Sequence, residues 1–235
     1  MGGDRRQSLR QVPNYGDERQ LAWCVYCAGR TETRDHVPSK VLLDEPYPPN
    51  LPVVPACESC NAGFSLDEEY LACLVDCVRV GSVDVRAGHR EKIRRILDRK
   101  PALVSMLARA RDEANGRIAF AVETDRIRNV VLKLARGHAA YELNEPHVEE
   151  PLGLSFVPFE LMDPEVRMTF ESPPRPLIWP EVGSRAMQRL AVSFPAGSDW
   201  IVAQPGRYRY LAAAGESVVV RLVLSEYLAC EVVWS

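Results

Sequence analysis

Between residues 65 and 81, apolar side chains recur three and four positions apart: Leu66, Tyr70, Cys73, Leu74, Cys77 and Val78. That spacing predicts a helix with these residues turned inward, opened by a Ser65–Glu68 capping box and closed by Gly81. A second predicted helix, about 87–99, places His89, Ile93, Ile96 and Leu97 inward and its arginines outward. Pro101 separates it from a third, expected over about 101–114. Asn115-Gly116 predicts a turn, Arg117–Thr124 a strand, and Asp125 the cap of a helix that runs to about Asn144, before Pro146. Beyond it the texture changes. The runs 153–159, 166–171, 199–204, 207–213, 217–224 and 227–234 are short, β-branched or aromatic, and divided by Pro, Gly and Ser. They predict an antiparallel sheet or a small sandwich. The chain reads as an α+β protein with a flexible arm at 1–20, a small module at 21–80, a helical segment at 81–145 and a β-rich region at 146–235.

Length and composition admit a real core: 235 residues, 46% hydrophobic and 26% charged. No apolar run approaches the roughly 18–20 residues that would span a bilayer, so no membrane partner is expected. The polar start lacks the apolar stretch of a secretory signal, which points to a reducing cytoplasm and favours metal over disulfide for the cysteines. A net charge of −3 excludes a protein that coats nucleic acid indiscriminately. An average can conceal a local patch, however. Between Arg86 and Lys100, seven basic residues stand against Glu91 and Asp98 alone. Arg90, Arg94 and Arg95 are candidate contacts to phosphates there, the alternative being an ordinary solvated helix face.

The most specific motif is Cys24-Val-Tyr-Cys27 paired with Cys57-Glu-Ser-Cys60. Each CxxC turn brings two sulfurs to the same side of the backbone, and two such turns can set four thiolates tetrahedrally about 2.3 Å from one Zn²⁺. Two disulfides or a redox pair are the alternatives. The first conflicts with the missing secretory signal and the second with the lack of a surrounding βαβ pattern.

Between and beside these pairs lie Asp35-His36, then Pro38, then Asn50, 14 residues after the histidine, and Asn61, directly after the last cysteine. The stretch from about Trp23 to Tyr70, CVYC…RDHVPSK…NLPVVPACESCNAGFSLDEEY, resembles the HNH, or ββα-metal, nuclease family. That resemblance implies an Asp-His pair on a first strand, an Asn in the connecting loop and a ligand Asn at the following helix. Asp35 and Asn61 would hold one Mg²⁺ or Mn²⁺, His36 would act as general base, and Asn50 would orient its ring. A neutral imidazole with a pKa near working pH suits deprotonation of an attacking water. Some family members carry a histidine four residues after the helix ligand, where this chain has Ser65; an oxygen-rich site is therefore expected rather than one of several imidazoles. Arg34 is a further candidate phosphate contact.

Other candidates read more simply. Cys73, Cys77 and Cys230 are expected to be small buried hydrophobes, and His89, His138 and His147 core or surface histidines. Asp67, Glu68 and Glu69 read as favourable charge in a first helical turn, an added metal ligand being the alternative. Arg136-Gly137 interrupts the pattern of KLARGHAAYEL. The expected function is a metal-dependent HNH endonuclease acting on nucleic acid, double-stranded DNA foremost, in bacterial restriction or phage defence, with a homodimer expected if two nicks are made. The alternative is a non-catalytic zinc module that binds nucleic acid or a protein.

Overall fold

A computed structural model describes residues 21–114, 117–172, 180–193 and 200–235. The predicted arm at 1–20 and the Asn115-Gly116 turn lie outside the described residues. The fold is α+β. A short antiparallel hairpin, β1 (Thr33–His36) with β2 (Val53–Ala56), sets Asp35 opposite Val54 and His36 opposite Val53. Two helices follow, α1 (Glu58–Gly63) and α2 (Ser65–Val80). Gly81 ends α2 in the left-handed region at φ 75°, where a residue without Cβ carries no strain.

The Ser65–Glu68 capping box does not form. Phe64 alone separates α1 from α2, and its carbonyl already accepts from the amides of Asp67 and Glu68. Ser65 Oγ donates back to the Ala62 carbonyl at 2.8 Å, and Glu68 turns into the interior. Leu66 is exposed rather than inward, and the buried face runs through Tyr70, Leu71, Cys73, Leu74 and Cys77.

Helix α3 (Glu91–Arg99) buries Ile93 and Leu97 as predicted, and α4 (Pro101–Ala110) follows with its proline in the first turn, where no amide is needed. The predicted third helix stops short at Ala110. Its last four positions form β3 (Arg111–Ala114), which pairs antiparallel with β4 (Arg117–Phe120), so strand pairing claims residues that the helical pattern had extended to. Helix α5 (Thr124–Leu143) begins without a side-chain cap, Asp125 lying in its first turn, and it runs unbroken through Gly137. A Cβ at Gly137 would lie 2.6 Å from Val37 Cγ2, so glycine is what lets α5 press against the residue after His36.

The C-terminal region is a five-stranded antiparallel sheet in the order β5 (Gly153–Pro158), β9 (Leu228–Trp234), β8 (Val218–Leu224), β7 (Tyr208–Ala214), β6 (Ile201–Gln204). Helix α7 (Arg185–Ser193) precedes β6. The run 166–171, predicted as strand, is helix α6 (Pro164–Glu171), started by Asp163, whose carboxylate accepts the Glu165 amide at 2.9 Å. Its period-two alternation loses to that start signal, and only Phe170 of the run is buried.

The two faces of the sheet are covered by different helices. Tyr208, Tyr210, Leu222 and Cys230 join the core that includes α5, whereas Val223 and Ala229 pack with Phe159 and Phe170 around α6. The main cluster also takes in Cys24, Val37, Leu71, Ile93 and Leu107, so the 21–80, 81–145 and 146–235 segments share one buried core. No described helix is long and apolar enough to cross a membrane.

Candidate zinc cluster and Asp-His centre

The first knuckle is a tight turn. Cys24 N–H donates to the Gly29 carbonyl at 2.7 Å, Ala28 N–H to the Cys24 carbonyl at 2.9 Å, and Ala28 itself takes φ 57°. Gly29 N–H then points at Cys27 Sγ, 3.4 Å away. At the second knuckle, Cys57 is the N-cap of α1 and its sulfur accepts the Cys60 amide at 3.4 Å. The hairpin brings the knuckles together: Cys27 Sγ and Cys57 Sγ are 3.7 Å apart, and all four sulfurs lie within 4.8 Å of one another. Sulfurs at the corners of a tetrahedron with 2.3 Å zinc bonds are about 3.8 Å apart, so the four cysteines can hold a zinc ion. The Ser59 hydroxyl, with the Cys60 amide, pulls the Cys57 thiol down to about 6, which readies a thiolate at the cluster. Burial raises Cys60, a difference that a bound cation would erase by drawing the protons off all four.

Cys24, Cys27, Cys57 and Cys60 form the one such cluster of cysteine, histidine and carboxylate groups among the described residues. Burial pushes Cys73 and Cys77 up to about 12 and raises Cys230 as well, which keeps all three as thiols among apolar neighbours.

Asp35 and His36 close β1 and face opposite ways, as adjacent strand residues must. Asp35 is buried and His36 half-buried. Burial first, and the Lys40 ammonium second, hold the His36 imidazole below its ordinary value against the opposing pull of Asp35. At neutral pH the ring is therefore uncharged and able to take a proton. Asn61, on α1, lies against the same strand, its amide 3.4 Å from both Thr33 Oγ1 and the Arg34 carbonyl. Asn50 is half-buried in the loop leading to β2, where the Pro52 carbonyl accepts the Val37 amide at 2.9 Å.

The buried side of Asp35 is crowded with partners that the motif did not announce. Tyr26 Oη donates to Asp35 Oδ2 at 2.8 Å, and the Lys133 ammonium, on α5, lies 2.7 Å from the same oxygen. Lys133 also donates to Glu68 Oε1 at 2.6 Å and to Ser39 Oγ at 2.8 Å, and Ser39 donates to Glu68. Asp35 Oδ1 and Asn61 Oδ1 have no partner among the described residues. Both are oxygens of the hard type that Mg²⁺ or Mn²⁺ accepts.

The acidic trio of α2 is thus more than first-turn charge. Asp67 pairs with Arg126 at 2.7 Å, Glu68 with Lys133, and Glu69 with Lys100.

The basic stretch is only partly free. Arg90, expected outward, is turned in: its guanidinium bonds Asp76 and Asp44 at 3.0 Å each. Lys92 donates to the Lys40 and Leu43 carbonyls at 2.8 and 3.1 Å, which ties α3 to the turn after the Asp-His pair. Arg34, Arg94 and Arg95 are exposed, Arg95 beside Glu91. His89 is buried against Asp76 at 2.9 Å, His138 against Tyr208 Oη at 2.8 Å, and His147 stacks on Trp234. No family model, curated protein or solved structure matches this chain.

Glu68, Ser39 and Lys133 were missed by sequence reasoning as parts of this centre. Lys133 offered one signal, since a lysine amid Val130, Val131, Leu132, Leu134 and Ala135 interrupts an otherwise apolar run.

Proposed function

We propose that the chain is a metal-dependent nuclease of the HNH type that hydrolyses phosphodiester bonds, with double-stranded DNA as the foremost substrate. The observation that carries the reading is the ββα arrangement itself. A neutral, half-buried imidazole ends β1, the carboxylate of the residue before it lies on the strand's other face, and an asparagine faces that strand from a helix anchored by the cysteine cluster. His36 takes the proton of the attacking water, and its lowered pKa keeps it free to do so at neutral pH. Asp35 and Asn61 would hold Mg²⁺ or Mn²⁺, which supplies neutralisation of the charge that develops on the phosphate. The cysteine cluster, loaded with zinc, fixes α1 against β1 and so keeps Asn61 in place. Exposed Arg34, Arg94 and Arg95 contact the backbone of the duplex, which positions it without reading its sequence.

The test is plasmid cleavage by zinc-loaded protein with Mg²⁺ or Mn²⁺, beside His36→Ala shown to keep its zinc and fold. Nicking or linearisation by the wild type alone is expected. If neither protein cuts plasmid, single-stranded DNA or RNA with any divalent metal, the chain is a zinc-bearing binding module instead.

A further inference from the structure

Lys133 is 2% exposed, and its ammonium is enclosed by Asp35 Oδ2, Glu68 Oε1 and Ser39 Oγ, all within 2.8 Å. A buried lysine is retained in charged form when carboxylates surround it, and here two carboxylates meet one ammonium. Each carboxylate presents one oxygen to the ammonium: Glu68 Oε1 meets Lys133 and Ser39, and Asp35 Oδ2 meets Lys133 and Tyr26. Of the two, Asp35 is the one in the strand that ends at His36, and its Oδ1 is left over.

We infer that Lys133 is a positioning residue of the proposed nuclease site: it holds Asp35 by Oδ2, confines a divalent cation to Oδ1, and sets that cation's affinity by competing for the carboxylate. The inference rests on the nuclease reading for its relevance to catalysis, though not for its measurement. Bidentate capture of a cation by Asp35 is blocked for as long as the ammonium stays. The ammonium cannot swing into solvent, because Ser39 and Glu68 hold it from the turn after β1 and from α2. Ser39 itself opens the Lys40–Leu42 turn, its carbonyl accepting the Leu42 amide at 3.0 Å. Helix α5 thus reaches the centre twice on one face, through the Lys133 charge and, one turn on, through the Gly137 backbone against Val37.

The experiment is a Mn²⁺ titration followed by electron paramagnetic resonance on the full, zinc-loaded chain, which needs no substrate. Lys133→Met removes the competing charge, and Mn²⁺ should bind at least about tenfold tighter, the lower end of what one adjacent charge does to a carboxylate's proton affinity. Glu68→Gln leaves the ammonium to Asp35 alone, and Mn²⁺ should bind several-fold weaker. A residue that only props up the fold would weaken binding in both variants or change neither. Asp35→Asn marks the site, because binding that it abolishes belongs to Asp35. Asp35-dependent binding that is unchanged or weaker in Lys133→Met overturns the role of Lys133 and leaves the nuclease reading standing. If Lys133→Met fails to fold by circular dichroism, Glu68→Gln decides alone, and unchanged or tighter binding there overturns the inference. Absence of any Asp35-dependent Mn²⁺ binding in all the proteins overturns both the inference and the metal assignment on which the proposed reaction depends.

Discussion

Replacing Gly137 by alanine sets two effects of opposite sign against each other. In a helix interior, alanine is worth about 1 kcal/mol over glycine, so an unhindered site would be stabilised. Here the added methyl would meet Val37 Cγ2 at 2.6 Å and Cγ1 at 3.0 Å. Val37 is 0% exposed and β-branched, so it has neither space nor a spare rotamer to withdraw into. Overpacking costs about 1–3 kcal/mol, and a contact this short with a rigid neighbour belongs at the upper end. The net expectation is a loss of about 2 kcal/mol, which lowers the melting temperature by about 4–8 °C in a chain of this size. Calorimetry of the zinc-loaded protein measures this directly. Because Val37 follows His36 in the chain, any shift that relieves the clash also displaces the imidazole; on the proposed nuclease reading, cleavage should then fall by tenfold or more. A variant that melts at or above the wild-type temperature would falsify the close-approach argument, since propensity would then have won.

Three further outcomes are expected. Cleavage should decline as the pH falls through the lowered pKa of His36, below 6.5, and stay level above it; Lys40→Ala, which removes one cause of the lowering, should move that acid limb to higher pH, and a limb that stays put counts against the assignment. Elemental analysis should find one zinc per chain, lost in Cys60→Ser together with protection of the β1–β2 hairpin from hydrogen exchange; full retention of zinc in that variant would remove the four-cysteine site. Arg221→Ala should cost about 2–3 kcal/mol in chemical denaturation, because this buried guanidinium pairs with Glu231 at 2.6 Å and closes the end of α6 through the Thr169, Phe170 and Ser172 carbonyls; a loss under about 0.5 kcal/mol would show that water replaces those bonds freely.

What could be read in advance was whatever is local in the chain. The two CxxC turns, the Gly81 stop and the β-branched run 217–224 each depend on neighbours a few positions away, and each appears in the structure. The same reasoning misjudged 166–171, where Val166, Met168 and Phe170 alternate like a strand but follow an Asp163-Pro164 helix start. It also spent Glu68 on a cap, because local rules cannot know that Lys133 would arrive from α5 to claim it. Arg90 was assigned to the surface for a similar reason: Asp44 and Asp76, distant in sequence, surround it only after folding. Gly137 was noticed as a break, yet its purpose lay in Val37, far away along the chain.

Helix α5 links regions that the sequence divides. Along its length it presents Lys133 to Asp35, Gly137 to Val37, His138 to Tyr208 and Glu142 to Tyr210, so a single rod of 20 residues, about 30 Å long, is bolted to the hairpin at one level and to the sheet at others. Such a rod transmits displacement rather than absorbing it. Cutting the gene ahead of β5 would strip the helix of its sheet-side packing, and the hairpin would lose its register to α5 along with it. The cysteine-flanked hairpin is therefore not a cassette to be lifted out and grafted elsewhere; its engineering is bound to the strands at the far end of the chain.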